Sequence, residues 1–167
     1  TLSVKEISSG LRPETLDELG ILEAIKWQAV EFERRNKISC VTILPNDSLE
    51  LSNEMSITIF RIVQETLTNV ARHANAREVE MRLENRGPEL FLDIVDNGKG
   101  IHPNLLEKLG HSQVSSGKDG ASGLGLGLHY TKQTVESAKG SMTIKSKLGK
   151  GTQVSLSLPR VQSPNWF

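Results

Sequence analysis

The sequence predicts an α+β sandwich, in which helices pack against a single β-sheet. Apolar residues recur with helical spacing in three long segments and with strand-like patterns in five short ones. Four of the five strands form two hairpin-like pairs, and strands and helices do not alternate as they would in a doubly wound parallel sheet. At 167 residues the chain is long enough for one domain with a sizeable core.

The first predicted helix covers residues 15–36. Its apolar residues at helical spacing are Leu16, Leu19, Leu22, Ile25, Ala29 and Phe32. Gly20 lies inside this pattern and weakens or divides the helix. A strand over residues 38–44 follows, and it contains Cys40, which we expect to pack as a small hydrophobe.

A second helix is predicted from a cap at Ser52 or Asn53 to Ala74. The residues of its packing stripe are Phe60, Val63, Leu67, Val70, Ala71 and Ala74. The third predicted helix covers residues 124–138 and is stopped by Gly140. The remaining strands are predicted at residues 78–83, 90–95, 142–146 and 153–158.

Composition excludes several function classes. The 20 basic and 20 acidic side chains balance, so no overall field favours nucleic acid or an acidic membrane surface. No apolar run approaches the length of a membrane span, and the first residues lack a signal-peptide pattern. A single cysteine excludes an internal disulfide framework. We therefore expect a soluble domain of a reducing compartment, the cytoplasm, either as a free protein or as the cytoplasmic part of a membrane-anchored one.

Asp96 ends a strand-like run and is followed by Gly98 and Gly100. A carboxylate at the end of a buried strand is costly unless something satisfies it, and the amino group of a purine edge would do so. Glycines nearby would allow the backbone and a ligand to approach closely. The alternative is a simple hairpin turn, for which the pair Asn97-Gly98 is a strong signal.

Glu65, Asn69 and Arg72 recur at spacings of four and three residues on one face of the second helix. The carboxylate and the amide offer hard oxygen ligands of the kind that Mg²⁺ takes together with phosphate oxygens. Arg72 lies within reach of the same phosphates. The alternative is an ordinary solvated helix face.

Glycines alternate at the start of the third helix, in the run Gly123 to Gly127. Free backbone N–H groups at a helix start favour an anion, although the spacing fits neither the Rossmann nor the Walker pattern. The glycine- and serine-rich region before it, within residues 101–122, is predicted as a mobile lid over a nucleotide. Lys118 in this region is either a phosphate contact or a solvated side chain.

Four motifs follow one another along the chain, namely Glu65-x-x-x-Asn69-x-x-Arg72-His73, Asp96-x-Gly98-x-Gly100, Gly123-x-Gly125-x-Gly127 and Gly151-Thr152. Their order resembles the ATP-binding domain of sensor histidine kinases, in the superfamily shared with gyrase-type topoisomerases, Hsp90 chaperones and MutL repair proteins. The resemblance covers nearly the whole chain from about residue 11. It implies a Bergerat-type fold, a two-layer sandwich of three helices on a mixed, mainly antiparallel sheet.

Two segments, Leu11 to Gly20 and Gln64 to Ala74, look most like the nitrate and membrane-fluidity sensor kinases. The continuation Leu128-His129-Tyr130 is closer to other branches of histidine kinases. The subfamily therefore stays open.

The resemblance implies a role for each residue at the base of the nucleotide. Asp96 would accept from the adenine amino group, and Thr152 would support it through water. Gly98, Gly100 and Ile101 would border the base. ATP is thus the implied nucleotide.

The resemblance also implies the residues at the phosphates. Asn69 would coordinate Mg²⁺, and Glu65 would orient or deprotonate a water or stabilise the metal shell. Arg72 and His73 would lie near the phosphates. The backbone amides that would hold them are those of Gly123, Leu124, Gly125, Leu126 and Gly127.

Kinases of this family carry a phosphoacceptor histidine followed by an acidic residue. The histidines here are His73, His102, His111 and His129, and none is followed by an acidic residue. The acceptor is therefore expected on a separate dimerisation domain of the same parent kinase, and the next partner is a response regulator receiver domain. The parent is expected to be a homodimer and the isolated domain a monomer.

Residues 1–12 are interpreted as a linker or as the tail of a dimerisation helix, 13–160 as the catalytic domain and 161–167 as a C-terminal tail. The first alternative function is an ATP-hydrolysing module of the gyrase, Hsp90 or MutL kind. The others are an anti-sigma-type serine kinase and a nucleotide-sensing module without catalysis.

Overall fold

A computed structural model describes residues 14–109 and 124–160. The helices in these ranges are α1 (Glu14–Leu19), α2 (Ile21–Asn36), α3 (Asn53–Asn69), α4 (Pro103–Lys108) and α5 (Leu124–Ser137). The strands are β1 (Ser39–Ile43), β2 (Glu78–Arg86), β3 (Glu89–Asp96), β4 (Ser141–Lys147) and β5 (Gly151–Pro159). Within the described ranges no helix combines the length and the apolar character that crossing a membrane would need.

The strands form one open sheet in the order β1-β2-β3-β5-β4. The first two strands are parallel, and every other neighbouring pair is antiparallel. The prediction of a mixed, mainly antiparallel sheet with helices is confirmed. In β3, Leu90, Leu92, Ile94 and Asp96 all face the core, because successive side chains of a strand point to opposite faces.

The core lies between one face of the sheet and the helices, and α3 packs against both α2 and α5. Its most completely buried side chains include Ile25, Ile59, Leu67, Met81 and Ile94. Cys40 is buried in this core, and its burial raises the pKa of the thiol to about 12. The cysteine therefore packs as a small hydrophobe, as predicted.

The first predicted helix is two helices. Gly20 has a φ of 85°, a backbone conformation that glycine adopts without steric cost, and it separates α1 from α2. The helix that carries Leu16 and Leu19 therefore ends at Leu19. Leu16 is buried, whereas Leu19, predicted to face the core, is 64% exposed at the end of α1.

The second predicted helix changes its winding at its C-terminal end. Ser52 caps α3 by accepting a hydrogen bond from the Met55 amide at 3.1 Å. Of the two predicted caps, Ser52 and Asn53, the structure therefore has Ser52. After Asn69 the chain continues as a π-helical turn, Val70–Ala74. This wider turn rotates the following residues, so Ala71 is exposed and its predicted place in the packing stripe was wrong.

The region predicted as an unpatterned lid begins with a short helix instead. His102 caps α4 by accepting from the Asn104 amide through Nδ1 at 3.2 Å, and Pro103 occupies the first turn. The prediction of an irregular segment from residue 101 was therefore wrong for α4. Residues 110–122 of the predicted lid, including Lys118, lie outside the described residues.

Candidate functional site

A cavity of about 360 Å³ opens between the C-terminal end of α3, helix α4 and the ends of the central strands. A volume of this size is typical of small-molecule sites. Of the predicted site residues, those that line it are Asn69, His73, Asp96, Gly100, Ile101 and Thr152. The fold thus brings together parts of three motifs that are far apart in the sequence.

Asp96 is the buried carboxylate of this cavity, with 7% of its surface exposed. The Gly98 amide donates to its Oδ1 at 2.8 Å. Burial raises the pKa of Asp96, while hydrogen bonds from the Gly98 and Thr152 backbone counter part of that rise. A carboxylate held in this way still has acceptor capacity, which suits a ligand that carries a hydrogen-bond donor.

The glycines after Asp96 are required by the packing of the chain itself. A Cβ on Gly98 would overlap the carbonyl oxygen of Ala74. Gly100 has a φ of 76°, and a Cβ there would overlap the carbonyl oxygen of Lys147. Close approach to a ligand is therefore not needed to explain Gly98, which does not line the cavity.

Hydrogen bonds fix the same loop on two sides. The Lys99 amide donates to the Ala74 carbonyl oxygen at 2.8 Å, and the Gly149 amide donates to the Lys99 carbonyl oxygen at 2.8 Å. The loop that bears Asp96 is thereby tied to the π-helical turn after α3 and to the turn between β4 and β5.

Thr152 is held by a residue that the sequence analysis did not identify, Ser146. The hydroxyls of Ser146 and Thr152 lie 2.8 Å apart, and Ser146 Oγ also donates to the Gly151 carbonyl oxygen at 3.0 Å. The Ile101 amide in turn donates to Ser146 Oγ at 2.8 Å. Ser146 lies on the strand paired with β5, and only that register, not any local motif, places it beside Thr152.

Positive charge gathers near the C-terminal end of α3. Arg72 and Lys99 are both exposed and close enough to His73 to lower the pKa of its imidazole, although burial is the larger cause. Lys99 lines the cavity, whereas Arg72 does not. Lys99 was missed, although its position between two motif glycines is a signal that could have identified it.

Glu65 does not line the cavity but lies against the first turn of α5. A Cβ on Gly127 would overlap the carboxylate oxygen Oε1 of Glu65. The glycine therefore lets the helix that carries Glu65 and Asn69 approach the start of α5. Residues 124–126 form the first turn of α5, and Gly123 lies outside the described residues.

The donor set of the cavity fits a Mg²⁺ ion that is bound mainly by phosphate and water. Asn69 is buried, and its Nδ2 has no hydrogen-bond partner within the described residues. Rotating the Asn69 amide by half a turn about χ2 would exchange the positions of Nδ2 and Oδ1, so that the oxygen occupies the unpartnered position. The described residues contain no group of three His, Cys, Asp or Glu side chains that could hold a metal by themselves. One amide oxygen is the kind of contribution that Mg²⁺ needs from a protein when a nucleotide supplies the rest.

The apolar walls of the cavity were not predicted as site residues. They include Val70, Leu105, Leu128, Ile144, Leu148 and Val154. Leu105, Ile144 and Leu148 lie outside the four motifs, and the apolar character of all six residues is that of ordinary core in the sequence. Their position at the cavity suits the flat faces of a nucleotide base.

Comparison with known proteins agrees with this geometry. Residues 54–162 match the family model described as the histidine kinase-, DNA gyrase B- and HSP90-like ATPases. The match covers more than half of the chain, which therefore belongs to this family. The chain is an ATP-binding domain of this family.

Solved structures of histidine kinases share the fold. The catalytic domain of histidine kinase ThkA superposes with a TM-score of 0.67 at 18% identity, over 84% of this chain and 92% of that one. The mycobacterial sensor histidine kinase MprB superposes with a TM-score of 0.63 at 24% identity, over 83% of this chain and 93% of that one.

A larger kinase also contains the fold. The blue-light activated histidine kinase of Erythrobacter litoralis gives a TM-score of 0.64 at 21% identity, over 83% of this chain. The chain spans 40% of that kinase and 63% of a separate histidine kinase domain from it. The fold is therefore that of histidine-kinase catalytic domains.

Replacing Asp96 tests the base site. Asp96→Asn should weaken ATP binding by about ten- to hundredfold, because it removes a charge-assisted hydrogen bond of about 1.5–3 kcal/mol. The free energy of unfolding at pH 7 should not fall. The folded protein raises the pKa of Asp96, so the ionised carboxylate opposes folding above that pKa and Asn removes this cost.

Titration calorimetry and urea denaturation measure these two quantities. Asp93→Asn is the matched control, since that carboxylate lies on the outer face of the same strand and accepts from Ser155 and Gln153. Equal ATP affinity in Asp96→Asn, or equal binding of GTP by the wild type, would contradict the assignment.

His73 should respond to bound phosphates. Its pKa is lowered in the free protein by burial and by the nearby cations. A triphosphate carries the opposite charge to the imidazolium, so nucleotide binding should raise the pKa of His73. The affinity for the nucleotide should then increase as the pH falls from the pKa of the bound protein to the pKa of the free protein. For each unit by which this pKa rises, the protein with protonated His73 binds the nucleotide about tenfold more tightly than the protein with neutral His73.

NMR titration of the His73 ring with and without a non-hydrolysable ATP analogue measures the change. His73→Gln is the control that subtracts the protonation of the nucleotide itself. An unchanged pKa on binding would place the phosphates elsewhere.

Proposed function

We propose that the chain is the catalytic domain of a sensor histidine kinase that works in the cytoplasm. It transfers the γ-phosphoryl group of ATP to a histidine on a separate dimerisation domain of the same parent. That histidine then supplies a response regulator receiver domain in two-component signalling. The parent is a homodimer in this proposal, and the isolated domain is a monomer.

One observation carries the proposal: a single cavity joins Asp96 and Thr152 to Asn69, His73 and Lys99. The buried Asp96 carboxylate and the half-buried Thr152 hydroxyl can recognise an adenine edge. The amide and the cations can hold phosphates and their metal. These two chemistries in one space are those that ATP requires.

Catalysis in this proposal depends on positioning and charge stabilisation. Asn69 would hold Mg²⁺, which when bound would neutralise charge on the phosphate oxygens. The backbone amides from Gly123 to Gly127 would hold the phosphates at the start of α5. Glu65, which lies against Gly127, would assist the nucleophile or order the metal's waters.

The acceptor histidine comes from elsewhere in this proposal. None of the four histidines of the chain is followed by an acidic residue, and His73 and His102 line the nucleotide cavity itself. A nucleophile for the γ-phosphoryl group would need to approach from outside. A separate helix-borne histidine satisfies that requirement.

A phosphotransfer assay tests the proposal. The chain alone, with labelled ATP and Mg²⁺, should acquire no acid-labile phosphate, and it should phosphorylate the dimerisation domain of its own parent when that domain is added. Asn69→Ala should abolish transfer, because the metal loses its protein ligand. Glu65→Gln should reduce transfer without abolishing it, since histidine is itself the nucleophile.

Glu54→Gln is the matched control, because this exposed carboxylate lies in the first turn of the same helix. It should transfer phosphate like the wild type. Rapid release of free phosphate by the chain alone, abolished by Glu65→Gln, would contradict the proposal and indicate a hydrolase.

A further inference from the structure

Thr66 is a buried polar residue of the cavity that no motif includes. It lies on α3 immediately after Glu65, only 3% of its surface is exposed, and its side chain borders the cavity. Its Oγ1 has no hydrogen-bond partner within the described residues. A buried hydroxyl without a partner is unfavourable, so its retention in a ligand cavity calls for a function.

Three other helical threonines satisfy their hydroxyls locally. Thr68, Thr131 and Thr134 each donate to the carbonyl oxygen four residues earlier, at 2.8, 2.9 and 2.9 Å. Thr66 does not make this bond, although it is in the same helix as Thr68. Its hydroxyl is therefore left buried and without a partner among the described residues, in a side chain that borders the cavity.

The burial of the cavity residues indicates which part of a nucleotide Thr66 would contact. The cations Arg72 and Lys99 are exposed, and His73 is half-buried. Thr66 and Asp96 are almost fully buried. Asn69, which would hold the metal, is also buried, with 9% of its surface exposed, but Thr66 is buried more deeply, with 3% exposed. A triphosphate belongs at the exposed, cationic end, so the base belongs with the Asp96 carboxylate at the floor of the cavity, where we also place Thr66.

We propose that the Thr66 hydroxyl is a specificity-determining contact for the purine base. It donates a hydrogen bond to a ring nitrogen of adenine, directly or through one buried water, while Asp96 accepts from the amino group. This inference rests on ATP binding in the cavity, which is part of the proposed function. It does not depend on which group receives the phosphate.

The test combines protein variants with nucleotides that lack single ring nitrogens. Thr66→Val keeps the shape of the side chain and should lower ATP affinity by about five- to tenfold in titration calorimetry. Thr66→Ser should restore most of it. The midpoint of urea unfolding without nucleotide should not decrease in Thr66→Val, because no hydrogen bond within the described protein is lost.

The nucleotides are 1-deaza-, 3-deaza- and 7-deaza-ATP. One of them should bind equally well to the wild type and to Thr66→Val, because it already lacks the acceptor of the hydroxyl. The other two analogues should still bind more weakly to Thr66→Val than to the wild type, by the same factor as ATP does. Thr68→Val is the matched control, since its hydroxyl bonds within α3 and does not border the cavity; it should leave the affinity for all four nucleotides unchanged.

Equal ATP affinity in Thr66→Val and the wild type would overturn the inference alone. So would a loss in Thr66→Val that is the same for ATP and all three analogues, because that pattern indicates packing without a hydrogen bond to a ring nitrogen. A wild type that binds no ATP would overturn both this inference and the proposed function. A wild type that binds ATP but phosphorylates no histidine would leave the inference standing.

Discussion

The burial of the Asp96 carboxylate at the end of β3 is the constraint on which the rest of the site depends. β3 is flanked on both sides by antiparallel strands, so its core-facing residues are enclosed, and Asp96 is the last of them. Ionisation there is opposed by burial and aided by backbone N–H groups. Burial of this carboxylate therefore costs folding free energy that hydrogen bonds from the Gly98 and Thr152 backbone offset only in part.

The loops around Asp96 are shaped to support it. Gly151 has a φ of 117°, and a Cβ there would overlap the carbonyl oxygen of Asp96. Gly98 lies against Ala74, and Asn97 Oδ1 accepts from the Arg77 and Glu78 amides at 2.9 and 3.0 Å. Strand β5, the π-helical turn after α3 and the start of β2 thus meet around one carboxylate, and the cavity opens where they meet.

The sequence predicted those features that depend on local pattern or on a short motif. The alternation in β3 placed Asp96 at a strand end, and the spacing of Glu65 and Asn69 placed them on one helix face. The break at Gly20 and the cap at Ser52 follow from local backbone chemistry in the same way.

The features that were missed depend on contacts between distant segments. Ser146 supports Thr152 only because β4 pairs with β5 in one register. The π-helical turn that exposes Ala71 has no signature in the apolar pattern. Thr66 reads as one more interior helix residue, and only the enclosed cavity shows that its hydroxyl lacks a partner. The walls of the cavity are likewise indistinguishable from core in the sequence.

The central claim is that one cavity holds the adenine of ATP against Asp96 with the phosphates toward Asn69 and His73. A crystal structure of the chain with Mg²⁺ and a non-hydrolysable ATP analogue tests it most directly. The account predicts the amino nitrogen of adenine at about 2.7–3.2 Å from an Asp96 carboxylate oxygen, with Mg²⁺ bound by Asn69. A base placed outside this cavity, or phosphates placed at Asp96, would contradict it.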